Sequence, residues 1–188
     1  VASETFVISR SSEMFFESAS INSLMFPSAA EILICPSVLF TSDLLLKLSP
    51  PFPRVSLDRF DGCTKGDQVI LVIHLIFVNV TWSSLITEDQ ESEKEWYFID
   101  QGVKMPFGLQ FWQHKHRVKK ITEESCEIID EISFDTRNAF LNYLLFPFLW
   151  GMIFYRKPFY KKYLSRLRMQ IYNVFKIVQY FFTKFKLF

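Results

Sequence analysis

Apolar and polar positions alternate with period two along most of the stretch between Met14 and Asp135, the signature of half-buried strands. Met14–Ile21 reads as a first strand. Pro27–Leu33 predicts a helical turn with Pro near its start, and Pro36 interrupts it. Thr41-Ser42-Asp43 is a capping sequence for a second short helix, Leu44–Leu48, which Pro50, Pro51 and Pro53 close. Strand-like runs follow at Val55–Phe60, Gln68–Val78, Thr81–Thr87, Lys94–Val103, Phe111–Thr122 and Ser125–Asp135. The separators are polar or Gly/Pro-containing and of hairpin length, which indicates an antiparallel meander. Gln68–Val78 is apolar on both alternating sets, so it needs cover on each side or a cavity on one.

After Asp135 the period changes. Asn138 is an N-cap, and Ala139–Tyr155 is nearly continuous apolar sequence broken by Asn142, Pro147 and Gly151. Seventeen residues at 1.5 Å rise cover about 25 Å, short of the ~30 Å hydrocarbon core. A long helix packed on the sheet is the first reading, and a membrane span through Ala139–Tyr155 the competing one. Residues 169–188 predict an amphipathic helix. Ile171, Val174, Phe175, Val178, Phe181, Phe182 and Phe185 fall on one face, with Gln170, Asn173, Lys176, Thr183 and Lys184 on the other.

Charge sharpens this division. Residues 1–136 carry 11 Lys and Arg against 20 Asp and Glu, a net −9, whereas residues 137–188 carry 10 Lys and Arg and no acid. Of the 51 residues from Asn138 onward, 17 are aromatic, which favours an anionic lipid surface over nucleic acid as the partner of a basic arm. Phe175, Phe181, Phe182, Phe185, Lys176 and Lys184 are the expected membrane contacts. Domain boundaries follow: an extension over 1–13, a body over 14–168 and a basic-aromatic tail over 169–188.

Five Gly and no GxGxxG or GxxxxGK[ST] exclude a Gly-rich nucleotide-binding loop. Cys35, Cys63 and Cys126 lack CxxC spacing, and no apolar run in residues 1–13 is long enough for a secretory leader. A reducing compartment is expected: cytoplasmic, peripheral at the inner face of the membrane.

Chemistry concentrates on two neighbouring strands. Period two places Trp112, His114, His116 and Val118 on one face and Gln113, Lys115, Arg117 and Lys119 on the other. The basic face is solvated, so the Trp and both His point inward. Cys126, Ile128, Asp130, Ile132 and Phe134 share the inner face of the next strand. An inward Asp130 fixes the tautomer of a neighbouring imidazole and raises its pKa, as an acid–base pair requires. A buried His–Asp pair equally serves to order a sheet without chemistry. As metal ligands, His114 and His116 have only Asp130 or Cys126 as an evident third partner and no tight motif, so no metal or cofactor is expected.

The element order and local motifs together resemble the START-like superfamily, which includes pollen-allergen-type, polyketide-cyclase-type and coenzyme-Q-binding START proteins. The matching pieces are Leu46-Lys47-Leu48-Ser49-Pro50-Pro51-Phe52, Trp82-Ser83-Ser84-Leu85-Ile86 and Phe98-Ile99-Asp100-Gln101-Gly102. Two more are Trp112-Gln113-His114-Lys115-His116-Arg117-Val118, the most specific, and Asp130-Glu131-Ile132. They are similar to a bacterial branch of small ligand-binding domains, some fused to epimerase-like domains, over about residues 14–165. The resemblance implies an α+β helix-grip fold, with a curved antiparallel sheet of about seven strands around a long C-terminal helix. Two short helices follow the first strand, whereas the Phe- and Leu-rich content of the long helix and the extra amphipathic helix after Arg168 depart from the family pattern.

It also implies binding of an apolar or amphipathic small molecule, such as a lipid or isoprenoid, in a cavity. Trp82, Ser84, Phe98, Trp112, His114, His116, Ile128, Asp130 and Ile132 are the expected contacts. The alternative is a cyclase/dehydratase-type enzyme using His114, His116 and Asp130.

Overall fold

The computed structural model describes residues 14–17, 24–25, 40–122, 125–156, 158–160 and 162. The tail 169–188, the extension 1–13 and the helical turn expected at Pro27–Leu33 lie outside them.

One antiparallel sheet accounts for all the strands among the described residues. β1 (Met14–Glu17) and β2 (Leu24–Met25) both pair with β8 (Ser125–Asp135), as two pieces of one edge. The rest is a meander: β3 (Arg54–Phe60), β4 (Gln68–His74), β5 (Asn79–Glu91), β6 (Glu95–Lys104) and β7 (Phe111–Thr122). The spatial order is β1-β8-β7-β6-β5-β4-β3. Register shifts at Leu57/Arg59, Ser83/Ser84, Ile86/Glu88 and Lys120/Thr122 bend the strands that carry them.

The short helix forms where its cap demands. In α1 (Ser42–Lys47) the Thr41 hydroxyl accepts the Leu44 N–H, and Asp43 pairs with Lys47 one turn on. A second helix, α2, runs over residues 139–156, with residues 158–160 and 162 also helical. Asn138 caps it: its Oδ1 accepts from Phe140 N at 3.0 Å and Leu141 N at 3.2 Å. The joint with β8 is made by Asn142, whose Oδ1 accepts from Thr136 N and Thr136 Oγ1 while its Nδ2 donates to Asp135 Oδ1. That joint aims α2 back across the inner face of the sheet. No helix among the described residues is long and apolar enough to cross a membrane.

One strand is shorter than its apolar content predicts. β4 ends at His74, and the chain reverses through Leu75–Val78, where the Leu75 N–H donates to the Val78 carbonyl at 2.9 Å. The turn is built of Leu, Ile, Phe and Val, so nothing in its composition announces it. Phe77 at its tip is 96% exposed. His74 pins its base, with Nε2 2.7 Å from Ser56 Oγ and Nδ1 3.0 Å from Asn79 Oδ1. β5 accordingly begins two residues before the expected Thr81 and continues to Glu91.

Two apolar clusters fill the space between sheet and helices. Phe40, Leu44 and Leu48 of the α1 region pack on Ile86, Trp96, Phe98, Val118, Ile128 and Tyr160. Toward the other end, Ile132 and Phe134 of β8 pack with Leu109 and Trp112 under Leu149 and Ile153 of α2. Each fully buried side chain of this size contributes about 1.5–3 kcal/mol by area transfer. The outer face is solvated and charged: Arg117 pairs with Glu95 at 2.5 Å and with Glu131, and Lys115 lies over the Tyr97 ring.

Candidate functional site

Between the sheet and the two helices lies a cavity of about 420 Å³. Its walls are mostly apolar: Phe40, Leu44 and Leu48 on one side, Val69, Leu71 and Ile73 of β4 below, and Leu145, Leu149 and Met152 of α2 above. The volume falls in the range of drug-sized ligand sites. Cys63 also lines it, a free thiol that burial pushes up to about 12, too high for a nucleophile.

One end of the cavity is polar because five inward positions on adjacent strands are hydrophilic. Register places Asp100 opposite His114 between β6 and β7, and His116 opposite Asp130 between β7 and β8. Ser84 of β5, on the same wall, is buried. His114 Nε2 lies 3.1 Å from Asp130 Oδ1. A carboxylate only accepts, so Nε2 carries the proton and Nδ1 keeps its lone pair. His116 Nδ1 sits 2.9 Å from the same oxygen but off the line of its N–H, and makes no hydrogen bond. The Tyr160 hydroxyl reaches Asp130 Oδ2 at 3.4 Å. His116 stacks on Phe98 with centroids 4.4 Å apart, and His114 meets Trp112 edge to face at 6.0 Å.

Electrostatics follow from burial. Desolvation, with the neighbouring His116, lowers the His114 imidazole to about 3 despite Asp130, so it stays neutral at pH 7. Burial works against the charge on Asp130, but its contacts with His114 and His116 outweigh it and hold the carboxyl well below the ordinary range. Burial raises Asp100, with His116, Ser84 and Arg156 countering in part, and drives the Tyr160 phenol well above 10.

Four buried side-chain atoms among the described residues have no hydrogen-bond partner: Asp100 Oδ1, Trp112 Nε1, His116 Nδ1 and Arg156 Nε. All four residues line the cavity. Native interiors carry few such groups, and here they gather at one place.

Among the residues expected from sequence, Trp82, Ser84, Phe98, Trp112, His114 and His116 reach the cavity wall. Ile128, Asp130 and Ile132 do not. They are buried behind it, because α2 and Tyr160 cover the inner face of β8 directly. Asp130 therefore acts through the imidazoles and not by touching the cavity contents. Phe175, Lys176, Phe181, Phe182, Lys184 and Phe185 lie outside the described residues. Sequence reasoning missed three polar residues: Asp100, Arg156 and Tyr160. Asp100 shares its parity with Trp96 and Phe98, and that signal was available.

A curved antiparallel meander closed by a helix lying across its concave face, with a cavity between, decides the architecture. The fold is the helix grip. Solved structures with it include the ZhuI aromatase/cyclase of Streptomyces sp. R1128, similar at TM-score 0.59 and 12% identity over 82% of this chain and 94% of that one. A point mutant of norcoclaurine synthase from Thalictrum flavum, in complex with a transition-state analogue, is similar at TM-score 0.50 and 13% identity. That match covers 87% of this chain and 98% of that one. These helix-grip neighbours are START-like proteins. No family model and no curated protein matches the sequence.

Proposed function

We propose that this helix-grip chain binds an apolar or amphipathic small molecule, lipid or isoprenoid in kind, in its internal cavity, with the polar end of the ligand toward Asp100, His116, Trp112 and Arg156. The observation that carries this reading is the cavity itself: about 420 Å³, apolar along its walls, with four unpartnered polar atoms at one end. A ligand with an apolar body and a head that both donates and accepts satisfies every one of them. Titration with an environment-sensitive apolar dye tests it. Saturable binding at one site, displaced by a medium-chain alcohol or acid, is the expected result; a dye response that never saturates refutes it.

The acid-free aromatic segment after Asp135 supports loading at an anionic membrane surface. Flotation with anionic vesicles, weakened by salt and by deletion of residues 169–188, is the corresponding test.

A second reading has an observation of its own in favour. A neutral His114 backed by an ionised Asp130, beside an Asp100 carboxyl with raised pKa, is an arrangement suited to moving protons as a cyclase or dehydratase does. Turnover of a bound polyketone, lost in His114→Gln, separates catalysis from stoichiometric binding.

A further inference from the structure

We propose that Asp100, His114 and His116 form a binding site for one divalent transition-metal ion of the Zn²⁺ class, open toward the cavity. The candidate ligand atoms of these three residues all lie within 4.8 Å of one another. A tetrahedral site with bonds of about 2.0–2.1 Å brings ligand atoms to roughly 3.4 Å, so modest side-chain rotation closes the set. The backbone already provides the placement. His114 and His116 project from one face of β7 two residues apart, and Asp100 stands directly opposite His114 on β6. Two imidazoles and one carboxylate make a donor set suited to Zn²⁺ and similar borderline ions rather than Mg²⁺ or Ca²⁺.

Three further features point to an ion. Two of the three residues carry a buried atom without a hydrogen-bond partner, Asp100 Oδ1 and His116 Nδ1, the latter 2.9 Å from Asp130 Oδ1. Asp130 accepts the hydrogen bond of the His114 Nε2–H, which leaves Nδ1 as the metal-donor atom and fixes the ring, the way carboxylates stand behind metal-bound histidines. The remaining unpartnered donors, Trp112 Nε1 and Arg156 Nε, also face the cavity. Asp100 and Asp130 together bring two negative charges and Arg156 one positive. A dication and one anionic fourth ligand therefore leave the enclosed group neutral, and Arg156 and Trp112 supply hydrogen bonds for that anion.

The site does not depend on the proposed small-molecule binding, and its test uses metal alone. The full chain, dialysed against chelator, is titrated with Zn²⁺ by calorimetry and with Co²⁺ by visible absorption. One saturable equivalent, with the intense visible bands of tetrahedral Co²⁺, is expected. Asp100→Asn and His116→Gln should weaken binding by about 100-fold or more, and Asp130→Asn by roughly 10–100-fold. His74→Ala, remote and bonded to Ser56 and Asn79, should leave it unchanged. Nitrogen NMR of the wild-type rings needs no variant: Zn²⁺ should shift the His114 and His116 resonances and not those of His74. Absence of saturable binding, equal affinity in His116→Gln, or shifts confined to His74 overturns the proposal.

Discussion

His114 donates its Nε2 proton to Asp130 Oδ1 across 3.1 Å, linking β7 to β8 beneath α2. Both side chains are almost wholly buried, so the pair has no solvent to fall back on. Asp130→Ala takes the acceptor from the His114 Nε2–H and the Tyr160 hydroxyl and the neighbouring carboxylate from His116, and should cost about 1–3 kcal/mol for each donor left unpaired. Urea unfolding measures it; a loss below ~1 kcal/mol would mean the three groups find other partners.

The same pair predicts a pH dependence with a definite sign. His114 titrates at about 3 in the folded chain against 6.5 when free, so unfolding takes up a proton between those values. Stability falls as pH drops from about 6.5 toward 3, by up to roughly 1.4 kcal/mol per unit. Asp130, depressed in the fold, adds a loss below its unfolded value near 3.8, whereas Asp100, raised in the fold, works the other way above that value. Comparing wild type with His114→Gln cancels most of the Asp100 contribution. The wild-type slope between pH 6.5 and 4 should be the steeper; equal slopes contradict a neutral His114.

Cavity wall and packed core should separate under mutation. Leu71→Trp fills space from the β4 side and should weaken dye binding by at least about tenfold with a smaller effect on stability. Ile132→Ala, behind the wall under Leu149 and Ile153, should cost about 2–5 kcal/mol and leave dye affinity within a few-fold. Parallel binding and unfolding measurements decide, and the reverse pattern would place the binding site at β8.

The cap and joint of α2 carry different weights. Asn138→Ala removes an acceptor from two exposed N–H groups and should cost about 1 kcal/mol. Asn142→Ala breaks three bonds, two of them buried, and should cost about 2–3 kcal/mol. Thermal denaturation ranks them; an inverted order would show that Asn142 does not hold the helix to the sheet.

Parity made most of the sheet legible. The alternation around Trp112, His114 and His116 and around Ile128, Asp130 and Ile132 is strict, and one-sided burial leaves a single register that hides all six. The turn at Leu75–Val78 escaped because strand and turn there draw on the same apolar residues, so only backbone hydrogen bonding reveals the reversal. Arg156 and Tyr160 lie just beyond the apolar stretch Ala139–Tyr155, although four-residue spacing sets them on one helical face. Which wall α2 covers depends on the Thr136–Asn142 joint, a tertiary feature, so the inward parity of Ile128 and Ile132 does not distinguish the cavity wall from the core behind it.

The position of β8 also dictates an order of assembly. It follows every other strand among the described residues, yet it is the partner of the first of them, with Met14 opposite Phe134. The hairpins from β3 to β7 close short loops and can form early, whereas the β1–β8 pairing closes a loop of about 120 residues and pays its entropy late. His114 and His116 belong to the β6–β7 hairpin, which can form before β8 docks and brings Asp130 beside them. Until that carboxylate arrives the two imidazoles have only water and each other, so a polar cluster with almost no access to solvent is also among the last parts to be completed.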